Sequence, residues 1–404
     1  MLKLVIVFGL IILLFSRRWN LGYVLLIGSA SLGLIFGLPV LEILEQGLAA
    51  ALDLKTLRLV AAVLLITTLG ELLTEVGSMQ GLVSSLQELV ADRRLVLASI
   101  PALIGLLPMP GGAMLSAPMI QEIGSDLELS PERKTYLNYW FRHVWEYIFP
   151  LYPAPILAAV IMDIPFSRLM LAQIPLTLSA IAAGALVGLR QIARPGEGAN
   201  VVGESGRRHS LQMMASSIWP IALVIVLSLG FELELALSLV VAIVLLAAVN
   251  RVELRSMSRV LRQGLSPSMA LLVFSIMIFK RMVEVSGAAN ALSTPLMAWG
   301  VAPVVVAVAV PFSIGLLTGF ISSAVGISFP LLLPFISGSE GYLSYGVLAF
   351  AAGFAGVLLS PMHLCLALTR DYFHADWEPL YRLLLPSAAL LVITAVGLWF
   401  VASF

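Results

Sequence analysis

The sequence predicts an all-α polytopic membrane protein of about 10 transmembrane helices plus two re-entrant hairpins, arranged as an inverted repeat. Three observations carry this. Apolar residues make up 60% of the 404-residue chain and charged residues 11%, with a mean hydropathy of +1.02, which is more apolar surface than one water-soluble core can bury. The apolar runs are continuous and of helical length, where an outer-membrane barrel shows short alternating strands. Two of the runs are interrupted by helix breakers at matching places in the two halves of the chain.

The first run, MLKLVIVFGLIILLFSRRWN, has Lys3 ahead of its apolar stretch, as a signal peptide does. No small-residue cleavage site follows, and Arg17 and Arg18 close it, so it reads as an uncleaved, short first span at 2–15. Further spans follow at 21–38, 57–76, 135–162, 168–189, 211–229, 234–249, 267–284, 342–368 and 380–402. The apolar blocks 95–121 and 303–337 remain. If each enters and leaves on one side, most of the 23 basic residues fall in cytoplasmic loops, among them Arg93, Arg94, Arg133, Lys134, Arg370 and the arginines of 190–208 and 251–262. A single crossing by block 95–121 would export both of those loops. Charge therefore favours hairpins in the cytoplasmic (inner) membrane, with both termini outside. Arm length agrees, since Leu95 to Leu107 makes about 20 Å of helix against a hydrocarbon core of about 30 Å.

The chain repeats itself. IGLL occurs at 104–107 and at 314–317, followed by PMPGGAMLSAP and TGFISSAVGISFP respectively. Upstream, LLTEVGSMQGL at 72–82 parallels RMVEVSGAANAL at 281–292; downstream, the Pro-interrupted EYIFPLYPAP parallels GVLLSPMHL. The Gly- and Ser-rich stretch 193–210 reads as a cytoplasmic linker between a first repeat, 1–192, and a second, 211–404. Each half holds five spans and one hairpin, 95–121 or 303–337. An odd number of crossings turns the second copy over, so the two tips approach each other from opposite faces near the midplane. Such a plan belongs to transporters.

Peptide groups freed by Pro and Gly cost several kcal/mol each in lipid, so protein, water or a ligand has to satisfy them. A tip that ends one short helix and starts another offers N–H groups to an anion and carbonyls to Na⁺. Residues so placed are Gly111, Gly112 and Ser116 at the first tip and Thr318, Gly319, Ser322, Ser323 and Ser328 at the second. Tyr152, Ser360 and His363 lie beside the breaks expected at Pro150, Pro153 and Pro155 and at Ser360-Pro361. In NYWFRHVWEY, Asn138, Arg142 and Glu146 recur at intervals of four, hence on one helical face, with His143 beside them. Ionised residues at such depth face a cavity or a partner, which makes Arg142 a candidate anion ligand. Candidates for the coupling ion or proton are Pro110, Gly111, Glu146, His143, Gly319 and Ser360. The bland alternatives are close packing by small residues, simple Pro kinks, and an Arg142/Glu146 pair that neutralises itself or an Arg142 that snorkels.

The lone Cys365 reads as a small packing residue, and the four histidines lack HExxH or CxxC company, so no metal beyond Na⁺ and no cofactor is expected. Zero formal charge without a basic stripe argues against a nucleic-acid partner. The absence of HExxH, of a paired-aspartate motif and of a Ser/His pair at plausible spacing argues against an enzyme, and the absence of GxxxxGK[ST] and of a large soluble domain against a primary pump.

IGLLPMPGGAMLSAPMI resembles a hairpin sequence of one membrane-protein family placed in the ion transporter superfamily of secondary carriers. That group holds the divalent-anion/sodium symporters, the citrate, gluconate and C4-dicarboxylate carriers, and arsenite and sodium/proton exchangers. The resemblance implies a five-helix inverted repeat in which spans 1, 2, 6 and 7 scaffold, often as a homodimer, while the hairpins with spans 3–5 and 8–10 move as an elevator. It also implies secondary active transport of a small anion, an organic carboxylate first, with Na⁺ or H⁺; the alternative is a cation/proton antiporter. The divalent-anion branch carries a Ser-Asn-Thr triplet after each tip, where this chain has PMPGGA and TGFISSA.

Overall fold

The computed structural model describes residues 2–17, 19–78, 81, 82, 84, 85, 92–106, 111–190, 192, 204–339 and 341–402, and every regular element among them is helical. The first half runs α1 (Leu2–Ser16), α2 (Leu21–Phe36), α3 (Val40–Leu52), α4 (Leu54–Glu75), α5 (Arg93–Ile104), α6 (Ala113–Asp126), α7 (Pro131–Arg142), α8 (Pro153–Met162) and α9 (Phe166–Gly184, extended by a π-helical turn to Leu189). The second half runs α10 (Glu204–Ile225, extended to Gly230), α11 (Leu235–Val249), α12 (Leu254–Gly264), α13 (Pro267–Val285), α14 (Ala288–Ala298), α15 (Pro303–Thr318), α16 (Ile321–Ile336), α17 (Tyr342–Leu359), α18 (Leu364–Phe373) and α19 (Trp377–Ala402). Among the described residues, five segments are long and apolar enough to cross a membrane: Leu54–Glu75, Phe166–Leu189, Arg208–Gly230, Tyr342–Phe373 and Trp377–Ala402. Three other expected spans, α1, α2 and α11, are apolar helices of 15, 16 and 15 residues.

Local chemistry sets most boundaries. Asn20, Asp53 and Asp92 each accept a backbone N–H at the start of α2, α4 and α5, and Ser130 caps α7. Pro131, Pro153, Pro267 and Pro303 open their helices, a position where the missing N–H costs nothing. Pro153 therefore starts a helix, and does not interrupt one as the sequence suggested. Three amphipathic or short helices, α3, α12 and α14, were absent from the predicted spans, and α10 begins inside the expected 193–210 linker.

The segments expected as hairpins each hold a pair of packed helices, and the turn of the first, 107–110, lies outside the described residues. In the first, α5 packs on α6 and Arg93 at its start meets Asp126 at its end, Nη1 to Oδ2 2.8 Å. In the second, α15 packs on α16 across a turn at Gly319, whose φ of +62° suits glycine. The contacts between halves are reciprocal: α2 lies against α13 and α11 against α4; α3 against α13 and α12 against α4; α6 against α18 and α16 against α8. The first arm of each hairpin packs on its own broken span, α5 on α7 and α15 on α17. The repeated IGLL carries this contact in both halves. A Cβ on Gly105 would overlap the carbonyl oxygen of Arg142, and one on Gly315 would overlap that of Gly353. Backbones this close need a small residue at the crossing.

Surface pairs sort into two groups at opposite ends of the broken segment 131–162. Lys55 with Asp163 (2.6 Å), Arg58 with Glu234 (3.5 Å), Arg281 with Gln46 (2.8 Å) and Tyr342 with the Met162 carbonyl (2.8 Å) gather at one end. Arg259 with Glu75 (3.4 Å), Arg133 with the Gly188 carbonyl (2.9 Å) and Glu132 with the Asp376 N–H (3.3 Å) gather at the other.

Gly315→Ala should destabilise by about 1–3 kcal/mol, the range for overpacking, because a backbone carbonyl cannot rotate away. Gly70→Ala, where a Cβ meets nothing within 4 Å, should instead stabilise by roughly 0.5–1 kcal/mol. Thermal unfolding of both variants in detergent measures the difference.

Candidate functional site

Two helix breaks build the site. Helix α7 stops at Arg142, eight residues before Pro150, and the chain turns through residues 143–152 before α8 starts. The turn is held by i→i−3 bonds, His143 N–H to Trp140 O at 3.1 Å and Glu146 N–H to His143 O at 3.3 Å. Helix α17 stops at Leu359 because Pro361 holds Ser360 in an extended conformation, φ −77° and ψ 124°. His363 then stands at the N-terminal boundary of α18, without a capping bond from its side chain.

Side chains from the broken spans reach carbonyls of the hairpin segments. Tyr152, at the start of α8, donates its hydroxyl to Gly105 O (2.6 Å) and accepts from Arg142 Nη1 (2.8 Å). Its counterpart His363, at the start of α18, has Nδ1 2.7 Å from Gly319 O, and Ser360 donates to Leu316 O (2.6 Å). Asn138 Nδ2 donates to Ala113 O at the first turn of α6 (2.8 Å). The two halves meet at the centre, where His143 Nε2 lies 3.0 Å from His363 Nε2. The thiol of Cys365 faces His143 and the Gly111 N–H, and the ligand atoms of His143, His363 and Cys365 all lie within 4.8 Å of one another. Glu146 Oε1 is 3.8 Å from both Arg142 Nη1 and His143 Nε2. Tyr139 covers the cluster, with its ring 4.6 Å from that of His143 and 5.6 Å from that of His363, and donates to Leu358 O (3.1 Å).

The structure thus joins Arg142, His143, Glu146, Tyr152, Gly111, Gly319, Ser360 and His363 around one buried centre. Arg142 is 2% exposed and bonded to Tyr152, so it does not snorkel. Glu146 does not share a helical face with Asn138 and Arg142, because the helix has ended; the tighter turn still brings it to the guanidinium. Other predicted residues point elsewhere. Thr318 borders an apolar groove against Phe8 and Ile11 of α1, and Ser322 lines a pocket with Leu59, Leu157 and Met269. Ser116 and Ser328 are buried and return their hydroxyls to their own helices, at Ala113 O and Ala324 O. Ser323 is fully buried with no hydrogen-bond partner for its hydroxyl. Gly112 opens α6 beside Gly111, and Pro110 lies outside the described residues.

Sequence reasoning missed Cys365, Asn138 and Gly105 as members of this centre. Cys365 carried one signal: it follows His363 by two residues, directly after the Ser-Pro break.

A protein-family model described as "Protein of unknown function (DUF401)" matches residues 1–403. The chain belongs to that family. A search of curated proteins gave no match. The matched range takes in both hairpins and both breaks, so the whole centre lies within the family's domain.

Tyr152→Phe removes one partner from the buried Arg142 and leaves Gly105 O without its donor, at a cost of about 1–3 kcal/mol for a buried polar group. Ser360→Ala, which leaves Leu316 O of the second hairpin without its donor, should act in the same direction. Thermal melts of the two variants and of their combination test whether the ties are equivalent.

Proposed function

We propose that the chain is a secondary active transporter of a small anion, an organic carboxylate in the first instance, coupled to Na⁺ or H⁺ across the cytoplasmic membrane. The observation that carries this reading is the meeting of both helix breaks in one cluster, where Arg142 is tied through Tyr152 to Gly105 of the first hairpin and the neighbouring His143 meets His363, which is tied to Gly319 of the second. A buried cation can attract an anion, and groups contributed by two halves of one chain can part and close again. The reciprocal contacts between halves, and hairpin bases at opposite ends of the molecule, support an inverted repeat of residues 1–192 and 211–404 with re-entrant hairpins. On that reading α1, α2, α10 and α11 scaffold, often in a homodimer, and the remaining helices move as an elevator, in keeping with the resemblance to the ion transporter superfamily. Both termini lie outside. The side chains of the centre are closed on one another, so a solute enters when the tips separate.

Glu146 favours one second reading. A buried carboxylate beside two imidazoles is what a cation/proton antiporter titrates. Counterflow of labelled mono-, di- and tricarboxylates in proteoliposomes, with Na⁺ or pH gradients imposed, separates the two. Carboxylate counterflow supports the anion carrier, whereas Na⁺/H⁺ exchange indifferent to carboxylates sinks it.

Gly112→Val and Ser323→Val should abolish uptake with normal expression, and Gly9→Val in α1, where a Cβ meets nothing, should leave it intact. Arg142→Gln should remove anion binding in the same assay; normal uptake by all of these variants refutes the site.

A further inference from the structure

We propose that His143, His363 and Cys365 bind a borderline transition-metal cation of the Zn²⁺ class, which ties the two helix breaks together. The first argument is the tautomer of each ring. Nδ1 of His143 lies 2.6 Å from Tyr139 O, and Nδ1 of His363 lies 2.7 Å from Gly319 O. A carbonyl oxygen only accepts, so each Nδ1 carries the hydrogen, and in a neutral imidazole Nε2 is then a bare lone pair. These two Nε2 atoms sit 3.0 Å apart, with His143 buried and His363 partly so. Two lone pairs at that separation repel unless a positive species lies between them.

That species is either a proton or a metal ion, and the surroundings favour the metal. A shared proton needs the two nitrogens alone. Here a thiol lies within 4.8 Å of a ring nitrogen of each histidine, and the Glu146 carboxylate oxygen is 3.8 Å from His143 Nε2. Two imidazoles, one sulfur and a carboxylate or water make the N, S and O donor set of four-coordinate zinc. Imidazoles that hold a metal donate their other N–H to a carbonyl or carboxylate, and both of these do so through backbone carbonyls. Zn–N bonds of about 2.0–2.1 Å in a tetrahedron set the nitrogens roughly 3.3 Å apart, so the rings need to separate by only a few tenths of an ångström.

The position gives the ion a consequence. His143 follows α7, whereas His363 and Cys365 open α18, so one ion bridges groups 220 residues apart in the chain. It also touches both hairpins at one remove, through Gly319 O and the Gly111 N–H. This inference goes beyond the transport reading and stands or falls without it.

The test uses the full chain in detergent, free of any affinity tag, stripped with chelator and titrated with Co²⁺ as a spectroscopic stand-in for Zn²⁺. About one equivalent should bind, with the visible bands of a tetrahedral ion and a thiolate-to-cobalt charge-transfer band, and Zn²⁺ should displace it. Cys365→Ser, nearly isosteric, should lose the charge-transfer band and weaken binding roughly 10-fold or more. His143→Ala with His363→Ala should lose stoichiometric binding, with size-exclusion elution and helical circular dichroism as controls on folding. No stoichiometric Co²⁺, binding equal in all variants, or a spectrum unchanged by Cys365→Ser overturns the proposal; a shared proton is the first of these outcomes.

Discussion

The peptide groups freed where helices break inside an apolar body are the constraint from which the rest of this structure follows. Each such group needs a partner because lipid offers none. Gly105 O, Leu316 O, Gly319 O and Ala113 O are all carbonyls of hairpin segments, and each meets a side chain from a broken span: Tyr152, Ser360, His363 and Asn138. The donors differ chemically, but the arrangement is the same in both halves. A residue at the start of the second half-helix, Tyr152 or His363, reaches back to the hairpin of its own repeat.

Close backbone packing makes those bonds reachable. Gly105 and Gly315, the glycines of the repeated IGLL, let the first arm of each hairpin lie directly on α7 or α17. A larger residue would push the arm out and carry its carbonyl beyond the reach of a tyrosine hydroxyl or an imidazole. The second arm of each hairpin rests on the other repeat, α6 on α18 and α16 on α8, so neither hairpin has a complete surrounding within its own half. The central contacts between repeats, His143 with His363 and Tyr139 with Leu358 O, close that arrangement.

Burying Arg142 beside Glu146 adds little to stability by itself, since desolvation of two charges offsets much of their attraction. Their separation of 3.8 Å is loose for an ion pair, whereas the bond from Arg142 Nη1 to the Tyr152 hydroxyl is 2.8 Å. On the transport reading proposed above, this charge is the group that would recognise a charged solute.

Continuous apolar runs, the duplicated IGLL and the placement of Pro and Gly were enough to read the helical class, both hairpins and the two broken spans, because each depends on neighbours in the chain. The Ser360-Pro361 break fell where the proline put it. The break after Arg142 did not: it begins eight residues ahead of Pro150, and Glu146 left the helical face that a four-residue spacing implied. Tertiary packing alone decided which freed groups meet. Nothing local links His143 to His363 and Cys365, since the contact exists only when the two halves fold onto one another and their breaks coincide. Sequence determines where a backbone opens; the folded halves determine what faces the opening, because those partners are distant along the chain and adjacent only in space.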